Sequence, residues 1–368
     1  MPGNSIGNFF RLTTFGESHG SAIGGIIDGC PAGIVWDEKF IQSELNRRRP
    51  GTNQASSPRQ EPDQIEIISG IFEGKTSGQP IAFLIRNLDQ KSEDYKQSEH
   101  LVRPGHADYT WKQRYGLFDP RGGGRASARE TAARVAAGAI AKLYLKKFDV
   151  FFSAYVSAIG PIELPETEKT WHSPQAIDAD PLRCPHRETS LKMQELLAKS
   201  ISERDTVGGV VRCYIRNCPP GLGSPVFNKL QSALAYAMMS IPAAKGFEYG
   251  EGFSAARMKG SEHNDVPEWK NGKIHFLTHH AGGILGGIST GDDIIFNVAF
   301  KPVSSIGQPQ TTISYKGEPA IWQPGGRHDI TVVTRAIPIV EAMAALVIAD
   351  QLIEWFSLGN QFSNNHSA

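Results

Sequence analysis

Apolar residues run along this chain in two rhythms. "QIEIISGIF", "PIAFLIRN", "DVFFSAYVSAIG" and "DDIIFNVAF" alternate or stay apolar over the length of a strand. "SARETAARVAAGAIAKLYLKKF", "TSLKMQELLAKSISE" and "RAIPIVEAMAALVIADQLIEWF" carry the wider spacing of helices. Ser127 and Glu130 predict a capping box at the start of the first of these helices. The third holds the most apolar long run, Ala336 to Phe356, but Glu341, Asp350 and Glu354 interrupt it. It reads as a buried helix rather than a membrane span. Strands and helices mix without the regular alternation of a Rossmann or TIM-barrel chain, so the expected class is α+β, a layered sandwich.

Glycine (38 residues) and proline (23 residues) are spread throughout, and no low-complexity linker divides the chain, so 1–368 reads as a single domain. A weak internal repeat lies inside it. "AIGGIIDGCPAGI" followed by "DEKFIQSEL" has a later counterpart in "TVGGVVRCYIRNCPPGLGS" followed by "PVFNKLQSALAYAMM". The shared order of strand, Cys-Pro turn and helix fits either coincidence of common elements or a duplication. Duplication would make two pseudo-equivalent halves, at about 20–150 and about 205–350.

Charge narrows the partners. Lys plus Arg and Asp plus Glu each number 38, so no global field exists to hold a nucleic acid or an anionic membrane. The four cysteines form no C-x-x-C pair, and the opening Met-Pro-Gly-Asn-Ser lacks the basic and apolar regions of a signal peptide. Free thiols in a cytoplasmic enzyme are expected.

Candidate chemistry sits in short polar stretches. Gly16-Glu17-Ser18-His19-Gly20 satisfies G-x-S-x-G, but a nucleophile elbow needs a helix after the serine. "SAIGGIIDG" reads as a strand, so Ser18 is expected in a tight hairpin that displays His19. In "RPGHADYTW", His106 opens a segment read as helical through Tyr115. A helix N-terminus would hold its pKa near or below neutrality, which suits a proton donor or acceptor. A packed histidine capping a turn is the other reading. "DPRGGGRASARET" leads three glycines into a helix bearing Arg125 and Arg129, with Arg121 before it, and this combination favours an anion. It lacks the G-K-[ST] ending of a Walker loop. Of Arg47, Arg48 and Arg49, at least one is expected to turn inward to a ligand. "HHAGGILGGISTG" and "KPVSSIGQPQ" read as glycine-bracketed strand ends. "GGRHD" places Arg327, His328 and Asp329 before the last helix, as either a salt-bridged turn or an acid-base group. No familiar metal-ligand spacing links the histidines, and no metal is expected.

In that order and approximate spacing, from about Gly7 to Gln351, these stretches resemble the chorismate synthase family. The resemblance implies a β-α-β sandwich assembled as a homotetramer. It implies loss of phosphate and the C6 proton from 5-enolpyruvylshikimate 3-phosphate by anti-1,4-elimination, with reduced FMN required and no net redox change. Carried over by motif, His19, His106 and Asp329 are the catalytic residues. Flavin contacts fall on Arg125, Ala126, Ser127, Pro242, Ala243, Gly286, Lys301, Pro302, Val303, Ser304, Ser305 and Arg327. Arg48 is assigned to anionic ligand binding, and Arg129 joins it as an anion-site candidate from the glycine-rich stretch.

This chain departs from the family at Gln54, often a second arginine, and at Ala126, His279 and Ile330. No flavin-reductase segment is visible, so an external flavin reductase is expected to supply reduced FMN, with NADPH only as an indirect reductant. A phosphomonoester hydrolase using the same arginines is the competing expectation.

Overall fold

The computed structural model describes residues 3–49, 61–88, 99–119, 121–270, 272–324 and 329–358. The first half supplies strands β1 (Ser5–Ile6), β2 (Arg11–Phe15) and β3 (Ala22–Asp28), helix α1 (Glu38–Arg48), and strands β4 (Ile65–Ile67) and β5 (Ile81–Arg86). Helices α2 (Asp108–Tyr115) and α3 (Thr131–Leu145) follow. The second half supplies β6 (Phe151–Ile159), β7 (Ile162–Glu163), α4 (Arg187–Ser202), β8 (Gly209–Arg216), α5 (Leu230–Met239), β9 (Ala244–Tyr249), β10 (Ile294–Phe300) and α6 (Val333–Leu358).

Two five-stranded sheets result, in the orders β1-β2-β3-β5-β4 and β9-β10-β8-β6-β7, and their neighbouring strands run antiparallel. The second is pinned through its middle strand, where Cys213 of β8 faces Phe296 of β10 on one side and Ala154 of β6 on the other. Helix α3 packs on the first sheet, α6 packs on the second, and the two helices pack on each other. The layers are therefore sheet, helices, sheet, the expected α+β sandwich.

Composition explains why helices fit between the sheets. A helix apolar on every side belongs inside a fold, not on its surface. Helix α3 is rich in alanine and buried on nearly every face, and α6 is buried from Ala336 to Leu352. Helix α6 is long and apolar enough to cross a membrane, yet 94% of that apolar stretch is buried inside the fold. It is a core helix, as the interrupting carboxylates implied. Pro338 inside it has no N–H to offer the carbonyl of Thr334. Arg183 Nη1 donates to that carbonyl at 2.6 Å instead, so the proline leaves no unpaired acceptor in the core.

The capping box at α3 is half formed. Ser127 accepts from the Arg129 amide at 3.3 Å, but Glu130 pairs with Arg134 at 2.9 Å rather than reaching back. Helix α3 proper begins at Thr131, after a short 3-10 turn. Arg134 lies four residues on, so an i,i+4 ion pair outcompetes the box.

Gly138 shows how closely α3 and α6 approach. A Cβ there would stand 2.3 Å from Ala342 Cβ and 2.4 Å from its Cα. Gly138→Ala gains about 1 kcal/mol in helix propensity, but overpacking of this kind costs about 1–3 kcal/mol or more where backbone must move. Net destabilisation is expected, read as a lower midpoint in denaturant unfolding. An unchanged or raised midpoint would show that the two helices part freely.

Candidate active site

Loops from both halves meet around one cleft of about 1300 Å³. The β2–β3 hairpin presents His19 to it, while Ser18 beside it is buried and absent from the lining. A strand follows Ser18, as expected, so the hydrolase elbow is not built. The glycine-rich loop closes over the histidine. Gly122 has φ +58°, and a Cβ there would lie 2.2 Å from His19 Cδ2, so only glycine lets the backbone cover the imidazole.

His106 also lines the cleft, on the loop before α2. Its Nδ1 lies 2.9 Å from the Pro104 carbonyl, which can only accept, so Nδ1 carries a hydrogen. The exchangeable position is then Nε2, 3.0 Å from Ser305 Oγ. Trp322 packs edge-on against the ring at 5.3 Å between centroids. Burial lowers the pKa of His106 below the ordinary imidazole value; Arg103 and Lys301 add to this, while the Pro104 carbonyl and Asp108 oppose it. The direction matches expectation, but the cause does not. Helix α2 begins at Asp108, so His106 stands in the turn before it rather than on its first turn.

The glycine-rich stretch also differs from its reading as a helix N-terminus. Gly122, Gly123 and Gly124 all take positive φ, so Arg125 precedes the helix and Arg129 lies in the intervening 3-10 turn. Arg121 turns away to the half-exposed Asp119 pair at 2.8 Å. Arg125 reaches back to the N-terminal strands, donating to Thr14 Oγ1 at 2.8 Å, Asn4 Oδ1 at 3.0 Å and the Gly16 carbonyl at 3.2 Å. Lys301 donates to the Gly105 carbonyl at 3.1 Å and to Ser304. Burial, and secondarily Lys245, lowers the Lys301 pKa. Among the described residues, neither Arg125 nor Lys301 meets a carboxylate at ion-pair distance. A cation held by neutral groups gains most from an anionic ligand.

The other cleft cations are paired. Arg103 binds Asp108 bidentately, and Arg335 holds Asp329 at 2.7 Å. Arg48 and Arg129 both bind the buried Asp63. Burial lowers the Arg48 pKa to about 10; Asp63 opposes this, and Arg335 and Arg129 reinforce it. Of the three consecutive arginines, Arg48 lines the cleft, Arg47 enters a buried ion cluster with Glu341, and Arg49 is exposed.

His19, His106, Asp329, Arg48, Arg129, Arg125, Ala126, Ser127, Pro242, Ala243 and Lys301 to Ser305 all line the cleft. Gly286 does not. It turns the hairpin Ile284–Leu285/Ile288–Ser289, which the Leu230 amide binds at the start of α5. Pro242 and Ala243 lie beyond the far end of that helix, about 15 Å away for ten residues. Arg327, His328 and Gln54 lie outside the described residues. Sequence reasoning missed Arg103, Arg134, Arg335 and Trp322 among the lining side chains. Arg134 stands four residues after Glu130, a usable helical signal, whereas nothing local in the sequence announces Trp322.

A family model described as chorismate synthase matches residues 10–353. The chain is 54% identical over 347 residues to the chorismate synthase of Bacteroides fragilis (strain YCH46), covering 94% of this chain and 97% of that one. It is 53% identical over 360 residues to that of Christiangramia forsetii, covering 96% and 98%. A solved structure titled "Crystal Structure of Chorismate Synthase" superposes with a TM-score of 0.75 at 33% identity, over 95% of this chain and 93% of that one.

The lowered pKa of His106 has a thermodynamic sign. The unfolded chain takes up a proton near pH 6.5 while the folded chain resists it, so this site contributes less stability as pH falls below about 6.5. His106→Asn should flatten the stability curve between pH 7.5 and roughly 5.5. An identical slope in urea unfolding of both proteins would show that His106 titrates normally.

Proposed function

The chain belongs to the chorismate synthase family, and on that premise we propose how its cleft carries out the family's reaction. That reaction eliminates phosphate and the C6 proton from 5-enolpyruvylshikimate 3-phosphate to give chorismate, the last step of the shikimate pathway. The competing hydrolase reading finds no support among these relatives.

One observation carries the site assignment: two histidines from separate loops line the same cleft as two cations that, among the described residues, meet no carboxylate at ion-pair distance. The cleft suits FMN in its donor set. Arg125, Lys301 and the Ser304 hydroxyl suit the phosphate of the cofactor, and Trp322, Ile321 and Val332 offer apolar surface to a flat ring. When bound, reduced FMN supplies electron density as phosphate leaves and a base for the C6 proton.

The chain's own groups do the rest. Arg48 and Arg129 orient the anionic substrate through N–H groups left over from their internal bonds. His106 keeps one tautomer through Pro104, so a proton is delivered or held at Nε2. His19, buried under Gly122, serves as the second proton donor. Asp329 is aimed by Arg335 and accepts a proton near the ring. External reduction of FMN, with NADPH only upstream of it, and a homotetramer complete the assignment. Exposed apolar side chains such as Phe227, Phe253 and Trp269 offer surface for assembly. Four buried free thiols accord with the reducing cytoplasm.

Arg125→Ala should weaken FMN binding roughly ten- to a hundred-fold, equivalent to about 1.5–3 kcal/mol for a charge-assisted contact, and leave riboflavin binding nearly unchanged. Equal losses for both flavins in a fluorescence titration would place the phosphate elsewhere. His19→Ala should keep FMN affinity and lose about two to four decades in kcat; near-normal turnover would remove His19 from the chemistry.

A further inference from the structure

Asp63 takes no part in the reaction described above and does not line the cleft, yet it touches two residues that do. It is fully buried. Its Oδ2 accepts from Arg48 Nη1 at 2.9 Å, and its Oδ1 accepts from Arg129 Nη1. One carboxylate thus takes one guanidinium on each oxygen.

Each fork is fixed on its other sides as well. Arg48 donates from Nε to Thr131 Oγ1 at 3.2 Å and from Nη2 to the Ala128 carbonyl at 2.9 Å. Arg129 donates from Nε to Asn87 Oδ1 at 2.8 Å and from Nη2 to the Arg86 carbonyl at 3.1 Å. A guanidinium has five N–H donors, so about two on each remain for the cleft. Glu61 lies 3.9 Å from Arg129, too far for a direct hydrogen bond, and accepts from the Leu88 amide at 3.1 Å.

The backbone around Asp63 is itself anchored to the helix that carries Arg48. Gln42 of α1 donates to the Asp63 carbonyl at 3.2 Å and accepts from the Ile65 amide at 3.3 Å. Asp63 therefore links the end of α1 to the turn before α3. Burial opposes its charge, but Arg48 and Arg129 outweigh burial and hold its pKa below the usual carboxylate value.

We propose that Asp63 is a positioning residue that locks Arg48 and Arg129 into one two-pronged clamp for an anionic group of the substrate. The inference rests on the reading above that these two arginines meet the substrate. An acidic group that bridges two guanidiniums without reaching the cleft sets their separation, and so selects for an anion that spans both.

The test is steady-state kinetics with anaerobically reduced FMN and the phosphorylated enolpyruvyl substrate. Asp63→Asn puts an NH₂ against one guanidinium, donor facing donor. KM should rise roughly ten- to a hundred-fold while kcat changes far less, as expected when charge-assisted contacts are misplaced. FMN affinity, which depends on Arg125 and Lys301, should hold. Asp63→Glu, which keeps the charge but displaces it by one methylene, should show the same KM-selective loss and serves if the Asn variant does not fold. A lowered unfolding midpoint with wild-type KM in whichever variant folds overturns the proposal and leaves Asp63 as loop support. Arg48→Lys and Arg129→Lys separate the two failures: wild-type KM in both would instead overturn the assignment of these arginines to the substrate.

Discussion

Glu341 lies on α6 without solvent exposure, and the two halves of the molecule are fastened around its charge. It accepts from Arg47 of α1 at 2.7 Å, from Lys142 of α3 at 2.8 Å and from the Ala154 amide of β6 at 3.0 Å. Burying a carboxylate costs several kcal/mol unless nearby donors offset it. Here burial works against the charge, and Arg47 and Lys142 outweigh it, holding the pKa of Glu341 below its ordinary value. This contribution is present above the ordinary carboxylate range and is lost as pH falls through the lower folded value. The cluster sets the position of the end of α1, where Arg47 and Arg48 diverge. Arg183 donates to the Arg47 carbonyl at 2.8 Å, and Arg335 donates to the Arg48 carbonyl at 3.4 Å. Arg47 is drawn into the core, and Arg48 is left facing the cleft.

The cleft inherits its selectivity from how its cations are satisfied. Arg103, Arg48, Arg129 and Arg335 each have a carboxylate, so their geometry is fixed before any ligand arrives. Arg125 and Lys301 are held by carbonyl, hydroxyl and amide oxygens, with no carboxylate at ion-pair distance among the described residues. Pre-positioned forks orient a ligand, whereas unmatched cations attract it. On the proposed function, a chain with no net charge brings two anionic molecules to one place through these local cations.

Much of the fold was legible because the strands and core helices have strong periodicity. "IAFLIR" and "FFSAYVSAI" are β5 and β6, and the Ala-rich run is α3. The segments "AIGGIID" and "GVVRCYIR" each form a mid-sheet strand followed by a helix, α1 or α5. We infer from this that they are equivalent parts of two pseudo-repeated halves of one domain. Local signals failed where a distant partner wins. Glu130 left its box for Arg134, and three left-handed glycines displaced Arg125 from the helix. The motif histidines were readable because their loops carry several unusual residues in a row. Asp63 was not, since its importance comes from two arginines 15 and 66 residues away.

The proposed chemistry of this cleft is a flavin-dependent elimination rather than a hydrolysis. Anaerobic incubation of the purified protein with 5-enolpyruvylshikimate 3-phosphate tests it directly, following phosphate and the conjugated diene together. With dithionite-reduced FMN the two should appear in equal amounts, and without FMN neither should appear. Phosphate released in the absence of flavin, with no diene formed, would contradict the elimination and point to a hydrolase.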